Sequence, residues 1–537
     1  MSATPAVTTT PPNKKPTTSG AVLVAAGIFL SRVLGLVRTR FLAGVLGQSP
    51  AADAFNVAFR IPNLLQNLFG EGALSASFIP IYARLVRDAD EEEAGRLAGA
   101  VAGILALVVA AIVLVGVLFT PQITAVIAPG LNAPEKAGER ALTIQLMRIL
   151  FPGAALLALS AWCLGILNSH RRFFLSYASP VMWNLAMIAA LIAYRHGDPG
   201  HVALIIAWAS VVGSALQFVV QLPAVLRLAR RLRLSLDIHR ATVREVIKNF
   251  IPAFVGRGVT QISAFIDIAI ASALPATMLG LIGYAQNLYM LPVSLFGISV
   301  SASELAEMSH VDEQSGDAHA AMLRARLDAG LRRIAFFVVP SAVAFLALGG
   351  VLVALLFENR RFGPDATQIT WAIVAGSAVG LLASTMGRLY SSTFYVLRDT
   401  RTPLRFASLR VVLNAALGSL CALVLPRALG LSATWGAAGL TAASGVAAWV
   451  EFTLLRNALN ARLGRTGVPA PFVATLWACA LGAAAVAWGV KLLLSGAGPL
   501  FGGTIIIAAY GAVYFATTSA LAVPESRAVL ARARRLL

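Results

Sequence analysis

The sequence predicts an all-α polytopic membrane protein, and two observations carry that prediction. Of its 537 residues, 58% are hydrophobic and only 12% are charged, well below the charged share of a soluble domain. Stretches of about 20 mostly apolar residues, the length of a helix that crosses a bilayer, recur along almost the whole chain. The net charge of +19 then reflects Lys and Arg on cytoplasmic loops, so the composition gives no reason to expect nucleic-acid binding.

Fourteen apolar stretches are long enough to span a membrane. The predicted spans are 20–47, 53–83, 98–120, 141–168, 173–194, 201–226, 246–273, 276–308, 331–357, 368–395, 406–426, 431–455, 470–494 and 500–523. Placing both termini in the cytoplasm puts most Lys and Arg on that side, as the positive-inside rule requires. The densest basic segment, between spans six and seven, contains Arg227, Arg230, Arg231, Arg233, Arg240, Arg244 and Lys248.

The chain contains an internal repeat. Phe69-Gly70 precedes Ser75-Ala76-Ser77 in span two, and Phe296-Gly297 precedes Ser301-Ala302-Ser303 in span eight. Six spans separate the copies, so they share one orientation and predict two six-helix lobes related by a pseudo-twofold axis along the membrane normal. The predicted domains are a disordered cytoplasmic tail (1–19), an N-lobe with spans 1–6 (20–231), a C-lobe with spans 7–12 (232–462), and two further spans with a basic tail (463–537).

Span two is organised differently from a simple membrane anchor. It carries Asp53, Arg60 and Glu71, and it is broken by Pro62 and by the turn Gly70–Gly72. Charges and broken backbone persist at membrane depth only where protein or water satisfies them. Span two therefore predicts the lining of a cavity, with Gly70, Glu71 and Gly72 as a hinge and internal gate.

Two arginines of span one fit the same cavity. Arg32 and Arg38 are six residues apart, so their directions differ by roughly 120° and both can face one broad wall. Guanidinium groups in a low-dielectric pocket bind a diphosphate strongly and bidentately. The alternatives are an ion pair of Arg32 with Asp53 or Glu71, and an Arg38 side chain that snorkels to the membrane surface.

The acidic residues each leave two interpretations open. Asp53 is either the N-cap of its own helix or an external gate closed by a cation such as Arg38 or Arg257. Asp267 either pairs with Arg257 or binds a coupling cation. Glu304 either pairs with loop arginines or acts as an internal gate.

The residues of span two and its neighbours also carry a family resemblance. The segments concerned are Ser31-Arg32-Val33-Leu34-Gly35-Leu36-Val37-Arg38, Asp53-Ala54-Phe55, Arg60-Ile61-Pro62-Asn63-Leu64-Leu65, Glu71-Gly72-Ala73, Pro252-Ala253, Gln261-Ile262-Ser263 and Tyr284-Ala285. They resemble the MurJ/MviN family, the lipid II flippases of the multidrug/oligosaccharidyl-lipid/polysaccharide exporter superfamily. Span count and order agree with this resemblance over the whole chain.

The resemblance implies a transporter that carries lipid II, the undecaprenyl-pyrophosphate-linked peptidoglycan precursor, across the bacterial cytoplasmic membrane by alternating access. The implied site is a cationic central cavity containing Arg32, Arg38 and Arg60, the last two spans form a groove for the lipid tail, and the transporter works as a monomer. Two positions depart from the family pattern, because Gln66 and Asn287 stand where relatives often have arginine. Arg257 stands where relatives more often have an apolar residue, and we expect it to restore a cationic contact to the substrate.

No enzyme signature appears in the sequence. The six histidines are dispersed, and there is no P-loop, catalytic triad or metal-ligand spacing, so we expect a transporter without cofactor or metal. Three other interpretations remain: a transporter of another polyprenyl-diphosphate-linked glycan, a drug/cation antiporter, and a transport-inactive membrane scaffold. The arginines of spans one and two and the fourteen-span count oppose the antiporter, whereas Gln66 and Asn287 keep the other two open.

Arg257 provides the first test. If it supplies a cationic contact from the second lobe, Arg257→Ala should abolish transport, and Arg257→Lys should retain part of it because the charge survives without the bidentate geometry. Transport is measured as lipid II exposed on the outer leaflet. Full activity of Arg257→Ala would show that this residue does not contact substrate.

Overall fold

The computed structural model describes residues 18–69, 74–309, 316–494, 496 and 498–533, apart from some side chains, among them those of 252–253 and 255–260. The described residues form an all-α bundle in which eleven helical segments are long and apolar enough to cross a membrane. Helices also occupy the described residues of the three other predicted spans, which are the first, the second and the seventh. The all-α fold with fourteen spans is therefore confirmed.

The described residues of the first half of the chain contain nine α-helices. They are α1 (Thr18–Val45), α2 (Pro50–Leu68), α3 (Ser75–Arg87), α4 (Glu91–Leu118), α5 (Thr120–Ile127), α6 (Ala137–Ser169), α7 (Phe173–Ala178), α8 (Pro180–Ala193) and α9 (Pro199–Leu228). Helix α6 lies at the centre of this group and packs against α2, α4 and α9.

The second half of the chain contains twelve described helices. They are α10 (Ala241–Ser272), α11 (Met278–Pro292), α12 (Ser299–Ser309), α13 (Gly316–Ala347), α14 (Gly349–Phe357), α15 (Pro364–Val396), α16 (Arg401–Ser419), α17 (Leu425–Ala428), α18 (Gly436–Leu463), α19 (Ala470–Leu493), α20 (Pro499–Ala520) and α21 (Pro524–Ala533). Helix α15 is central and packs against α11, α13 and α18. At the α15–α18 crossing, a Cβ on Gly380 would lie 2.4 Å from the Cα of Gly445, so both glycines are needed for the close approach.

Several helices extend beyond the predicted spans because hydropathy detects only their membrane-embedded part. Helix α4 begins at Glu91, where three glutamates occupy its first turn and the Asp90 side chain accepts a hydrogen bond from the Glu93 amide. Acidic residues stabilise a helix N-terminus in water, so the helix continues outside the apolar stretch. The predicted ninth span, 331–357, is in fact two helices, α13 and α14, that meet at residue 348.

Spans two and eight are both irregular, and at corresponding positions of the repeat. In span two, α2 contains Pro62 and ends at Leu68, and α3 begins at Ser75. In span eight, α11 ends at Pro292 and a π-helical segment, Val293–Ile298, leads into α12. Phe69 and Leu74 of span two are also π-helical, and π-helical turns within α-helices are frequent at functional sites. The Gly70–Gly72 turn of span two lies outside the described residues.

The linker between the two halves, residues 229–240, lies in a groove of glycines on α4. A Cβ on Gly99 would lie 1.9 Å from the carbonyl oxygen of Arg233, and a Cβ on Gly103 would lie 2.3 Å from that of Ser235. Gly95, one helical turn before Gly99, meets the Arg231 backbone in the same way. Glycines four residues apart share a helix face, so they form one continuous channel for the extended linker.

The last membrane helix, α20, is attached to α13 by two tyrosine hydroxyls. Tyr514 donates to the Phe336 carbonyl oxygen at 2.7 Å, and Tyr510 donates to that of Pro340 at 2.7 Å. Phe336 is four residues before Pro340, which has no N–H to complete that helical hydrogen bond. Tyr514 therefore satisfies a carbonyl that the proline leaves free inside the membrane, where an unpaired polar group is costly.

The glycine groove of α4 yields a stability prediction. Gly99→Leu should push the linker off α4, because even its Cβ would overlap the Arg233 carbonyl. We expect a melting temperature several degrees lower and faster proteolysis within 229–240. Gly482→Leu on α19 is the matched control, since a Cβ there meets no atom within 4 Å. Equal behaviour of the two variants would contradict the docking of the linker.

Candidate functional site

A cavity of about 510 Å³ lies between the two halves of the molecule. Helices α1, α2 and α8 form one wall, and α11 with the start of the π-helical segment forms the other. Among the described residues that line it, the charged ones are Arg32, Arg38 and Arg60, and none is acidic. The cavity is therefore positively charged.

The three arginines differ in their surroundings. Arg38 donates to Asn184 Oδ1 at 3.2 Å, and its guanidinium carbon lies 4.5 Å from the centroid of the Trp183 ring. These contacts orient Arg38 without neutralising it, so it stays over α8 and does not extend to the membrane surface. No described carboxylate lies within ion-pair distance of Arg32, Arg38 or Arg60. Cations that form no ion pair in a low-dielectric cavity attract an anionic ligand.

The two positions that depart from the family pattern also line this cavity. Gln66 lies on α2, and Asn287 lies opposite on α11. Asn287 Nδ2 donates to the Gly283 carbonyl oxygen at 2.8 Å, which fixes the orientation of its amide. Both side chains offer neutral hydrogen-bonding groups at positions where an arginine would offer charge.

Other residues from the sequence prediction are not seen at the cavity. The side chain of Arg257 and the turn Gly70, Glu71 and Gly72 lie outside the described residues. The remaining three, Asp53, Asp267 and Glu304, do not line the cavity.

Asp267 and Glu304 both have partners within the second half of the chain. Asp267 accepts a hydrogen bond from Asn414 Nδ2 at 2.7 Å. Glu304 is buried and pairs with Arg333 of α13 at 2.7 Å, so its partner is a helical arginine and not one in a loop.

Asp53 joins the two halves at one end of the cavity. Its carboxylate accepts hydrogen bonds from the backbone N–H of Thr277 at 2.7 Å and of Gly280 at 2.6 Å, at the start of α11. Among the described side chains no cation pairs with Asp53, and Ser49, not Asp53, caps α2. Asp53 thus caps a helix of the opposite half, an arrangement that neither sequence interpretation included.

Three basic residues, which sequence reasoning did not select, make equivalent contacts across the same end. Lys136 Nζ donates to the carbonyl oxygens of Ser272 at 2.9 Å and Leu274 at 2.6 Å, where α10 ends. Arg361 Nη1 donates to the Val45 carbonyl at 2.6 Å, where α1 ends.

Arg40 completes this set of contacts. Its Nη1 donates to the last carbonyls of α14, at 3.2 Å in the case of Leu356. We call Arg40, Asp53, Lys136 and Arg361 the helix-end clamps. Each places a charge of one half against a helix terminus of opposite partial charge in the other half, a contact of about 1 kcal/mol.

Two glycines let the halves approach each other at this end. A Cβ on Gly280 would lie 2.9 Å from Ala52 Cβ, and a Cβ on Gly283 would lie 1.9 Å from Asn56 Nδ2. Asn56 Nδ2 also donates to the Leu279 carbonyl oxygen at 2.5 Å. The cavity is therefore closed here by contact of the Ala52 and Asn56 side chains of α2 with the backbone of α11.

At the other end, α10 of the second half contacts α3 and α4 of the first half. Arg84 of α3 pairs with Glu245 of α10 at 3.0 Å, and both side chains are about half exposed. Glu93 of α4 accepts hydrogen bonds from Arg240 Nη1 at 2.9 Å and from Thr242 Oγ1 at 2.8 Å. The Phe69 ring packs against those of Phe250 and Phe254. The exposed Arg84–Glu245 pair contributes little stability, so this end depends mainly on the Glu93 and aromatic contacts.

Comparison with known families identifies a consistent group of relatives. The family model described as "Lipid II flippase MurJ" matches residues 42–508. A "Probable lipid II flippase MurJ" of Rhizobium meliloti (strain 1021) is 32% identical over 511 residues, which is 90% of each chain. The "Lipid II flippase MurJ" of Burkholderia cenocepacia is 32% identical over 450 residues, covering 82% of this chain and 84% of that protein.

Solved structures agree at the level of the fold. The structure described as "Lipid II flippase MurJ, inward closed conformation" matches with a TM-score of 0.75 and 22% identity, over 93% of this chain and 98% of that one. An inward-facing multidrug resistance MATE family transporter matches with a TM-score of 0.66 and 16% identity, over 82% of this chain and 98% of that one.

The glycine contact at the closed end gives the next prediction. Gly283→Val should prevent closure, because its side chain would occupy the volume of Asn56. Spin labels at Tyr194 and Leu431, both half exposed in loops of opposite halves, would report the separation in a chain whose three cysteines are replaced. We expect the inter-label distance distribution to move to longer values.

Gly489→Val on α19 is the matched control for this experiment, since a Cβ there meets no atom within 4 Å. It should leave the distance distribution of the parent protein unchanged. A Gly283→Val distribution identical to that of the control would show that this glycine contact does not determine closure.

Proposed function

The chain belongs to the MurJ family of lipid II flippases, and on that basis we propose that it carries lipid II from the cytoplasmic to the periplasmic leaflet by alternating access. The observation that carries this proposal is the cavity whose described charged lining residues are three arginines without acidic partners. Lipid II presents a diphosphate, and guanidinium groups in a poorly hydrated pocket bind phosphate oxygens bidentately. Membrane helices without a catalytic constellation fit transport and not chemistry on the substrate.

We assign the substrate contacts as follows. Arg32, Arg38 and Arg60 hold the diphosphate, and Arg257 adds a cation from the second half of the chain. Gln66 and Asn287 hydrogen-bond the sugar-peptide head group, since both face the cavity with neutral amides. The Trp183–Asn184 pair positions Arg38 through its stacking and hydrogen-bond contacts.

The helix-end clamps serve as the gate in this proposal. Asp53 holds the start of α11 against α2 while the cavity is closed at that end. The turn formed by Gly70, Glu71 and Gly72 bends span two during the transition, because glycines absorb large backbone changes. Glu304 exchanges its Arg333 partner when the opposite end closes. Asp267, together with Asn414, is our candidate site for binding a coupling ion.

The orientation follows from the distribution of basic loops. Both termini lie in the cytoplasm, residues 20–231 and 232–462 are the two lobes, and 463–537 adds the groove for the lipid tail. With this orientation the clamps close the periplasmic end, so the structure corresponds to a state that receives substrate from the cytoplasmic leaflet. The protein functions as a monomer, because one chain forms the complete cavity.

Complementation with a direct readout tests the proposal. In bacteria depleted of their own lipid II flippase, expression of this protein should restore growth and the labelling of lipid II on the outer leaflet. Arg60→Gln should lower labelling by about tenfold or more, because a charged hydrogen-bonding partner of the diphosphate is lost. Arg405→Gln removes one exposed charge at the start of α16, away from the cavity, and should leave labelling unchanged.

Three outcomes would contradict this proposal. Protein that reaches the membrane but exposes no lipid II would exclude lipid II transport. Rescue of another polyprenyl-diphosphate-linked glycan instead would identify a different substrate for the same cavity. Full activity of Arg60→Gln would show that the cavity arginines do not hold the diphosphate.

A further inference from the structure

A second cavity, of about 530 Å³, lies between the turn after α6 and the end of α9. It is separate from the central cavity, and the two share no lining residue. Its lining divides into cationic and apolar groups. The cationic residues are Arg171, Arg172 and Arg227, and the apolar residues are Phe173, Phe174, Leu175, Ala224 and Leu228.

The turn that carries two of these arginines has a defined backbone. Arg171 adopts a left-handed conformation with φ 59°, and the Arg172 amide donates to the Leu167 carbonyl oxygen at 2.8 Å, which closes the end of α6. Cations at the end of a helix stabilise its partial negative charge, and this accounts for one arginine at such a position. Arg227 lies in the last turn of α9, so the same effect acts on it. The helix ends do not account for the meeting of three arginines from two helix ends around one cavity.

The three guanidinium groups have no acidic partner among the described side chains. Four acids elsewhere on this side of the molecule already have arginine partners: Glu245 with Arg84, Glu92 with Arg96, and Glu93 and Asp237 with Arg240. The cluster therefore keeps its full positive charge for an external anion.

Apolar surface continues from the cavity into the membrane-facing side of the same helices. Phe174, which lines the cavity, is 53% exposed. Leu226, which precedes the lining residue Arg227, is 50% exposed. A free anion could contact the arginines but would bury none of this apolar surface. An anionic amphiphile would make both kinds of contact, because its phosphate can bind the guanidinium groups while its acyl chains cover the phenylalanine and leucine side chains.

We propose that this cavity binds the phosphate head group of an anionic phospholipid from the leaflet at which α6 and α9 end. The site lies outside the transport pathway, and the inference does not depend on the nature of the transported substrate. Basic pockets between membrane helices at the interface are suited to such head groups, because their charge attracts the phosphate over about a Debye length.

Native mass spectrometry of the full-length protein in detergent tests this site. With phosphatidylglycerol as the probe, we expect retained lipid adducts that phosphatidylcholine at the same concentration does not give. The triple variant Arg171→Gln, Arg172→Gln, Arg227→Gln should bind phosphatidylglycerol about tenfold more weakly, as three charges near the surface are lost. The corresponding triple lysine variant should retain most of the binding.

The linker arginines supply a matched control with the same change in charge. Arg230→Gln, Arg231→Gln, Arg233→Gln removes three exposed charges that do not line the cavity, and its binding should match the parent protein. An equal loss in both glutamine variants would show general attraction to a basic surface and overturn the proposal. So would equal binding of phosphatidylcholine, or displacement of phosphatidylglycerol by inorganic phosphate at equimolar concentration.

Discussion

The closed end of the central cavity depends on charged side chains that bind helix ends and not opposite charges. Asp53 meets the free amides at the start of α11, and Lys136 meets the free carbonyls at the end of α10. A buried ion pair is costly to break, because each partner is left as an isolated charge. A helix end carries only about half a charge, so separating it from a side chain that water then solvates costs far less. Contacts of this kind hold a gate shut and still let it open.

The same distinction between paired and unpaired charge separates the cavity from the rest of the bundle. Arg410 pairs with Glu451 at 3.0 Å, and Arg332 pairs with Glu525 at 3.0 Å, so these arginines hold helices together. Arg32, Arg38 and Arg60 have no described carboxylate in reach, although three like charges share one cavity. The mutual repulsion of these arginines raises the electrostatic free energy of the protein without ligand, and a bound anion would lower it. The function proposed here follows from that imbalance.

Sequence reasoning was most informative where a side chain itself carries the signal. Arg32, Arg38, Arg60, Gln66 and Asn287 were selected from charge, spacing and resemblance, and all five line one cavity. Sequence reasoning did not find the residues whose hydrogen-bond partners are backbone groups. Lys136 and Arg361 are such residues, since they bind carbonyl groups that every residue possesses. The contact of Gly283 with Asn56 could not be predicted from the sequence either. Glycine is common in apolar helices, and only the position of Asn56 in the fold requires a glycine here. The turn predicted at Gly70–Gly72 lies outside the described residues, and the π-helical segment Val293–Ile298 of span eight was not predicted.

The charge in the cavity is also distributed unevenly between its walls. Its three described arginines lie on α1 and α2, whereas the described lining residues of the α11 wall are all uncharged. A diphosphate held there would stay with the first wall when the walls separate, because that wall supplies three guanidinium groups and the second half only the contact proposed for Arg257. Release would then come from water entering the opened cavity, since raising the local dielectric weakens every guanidinium–phosphate contact at once. The movement that opens the gate would itself lower the affinity for the substrate.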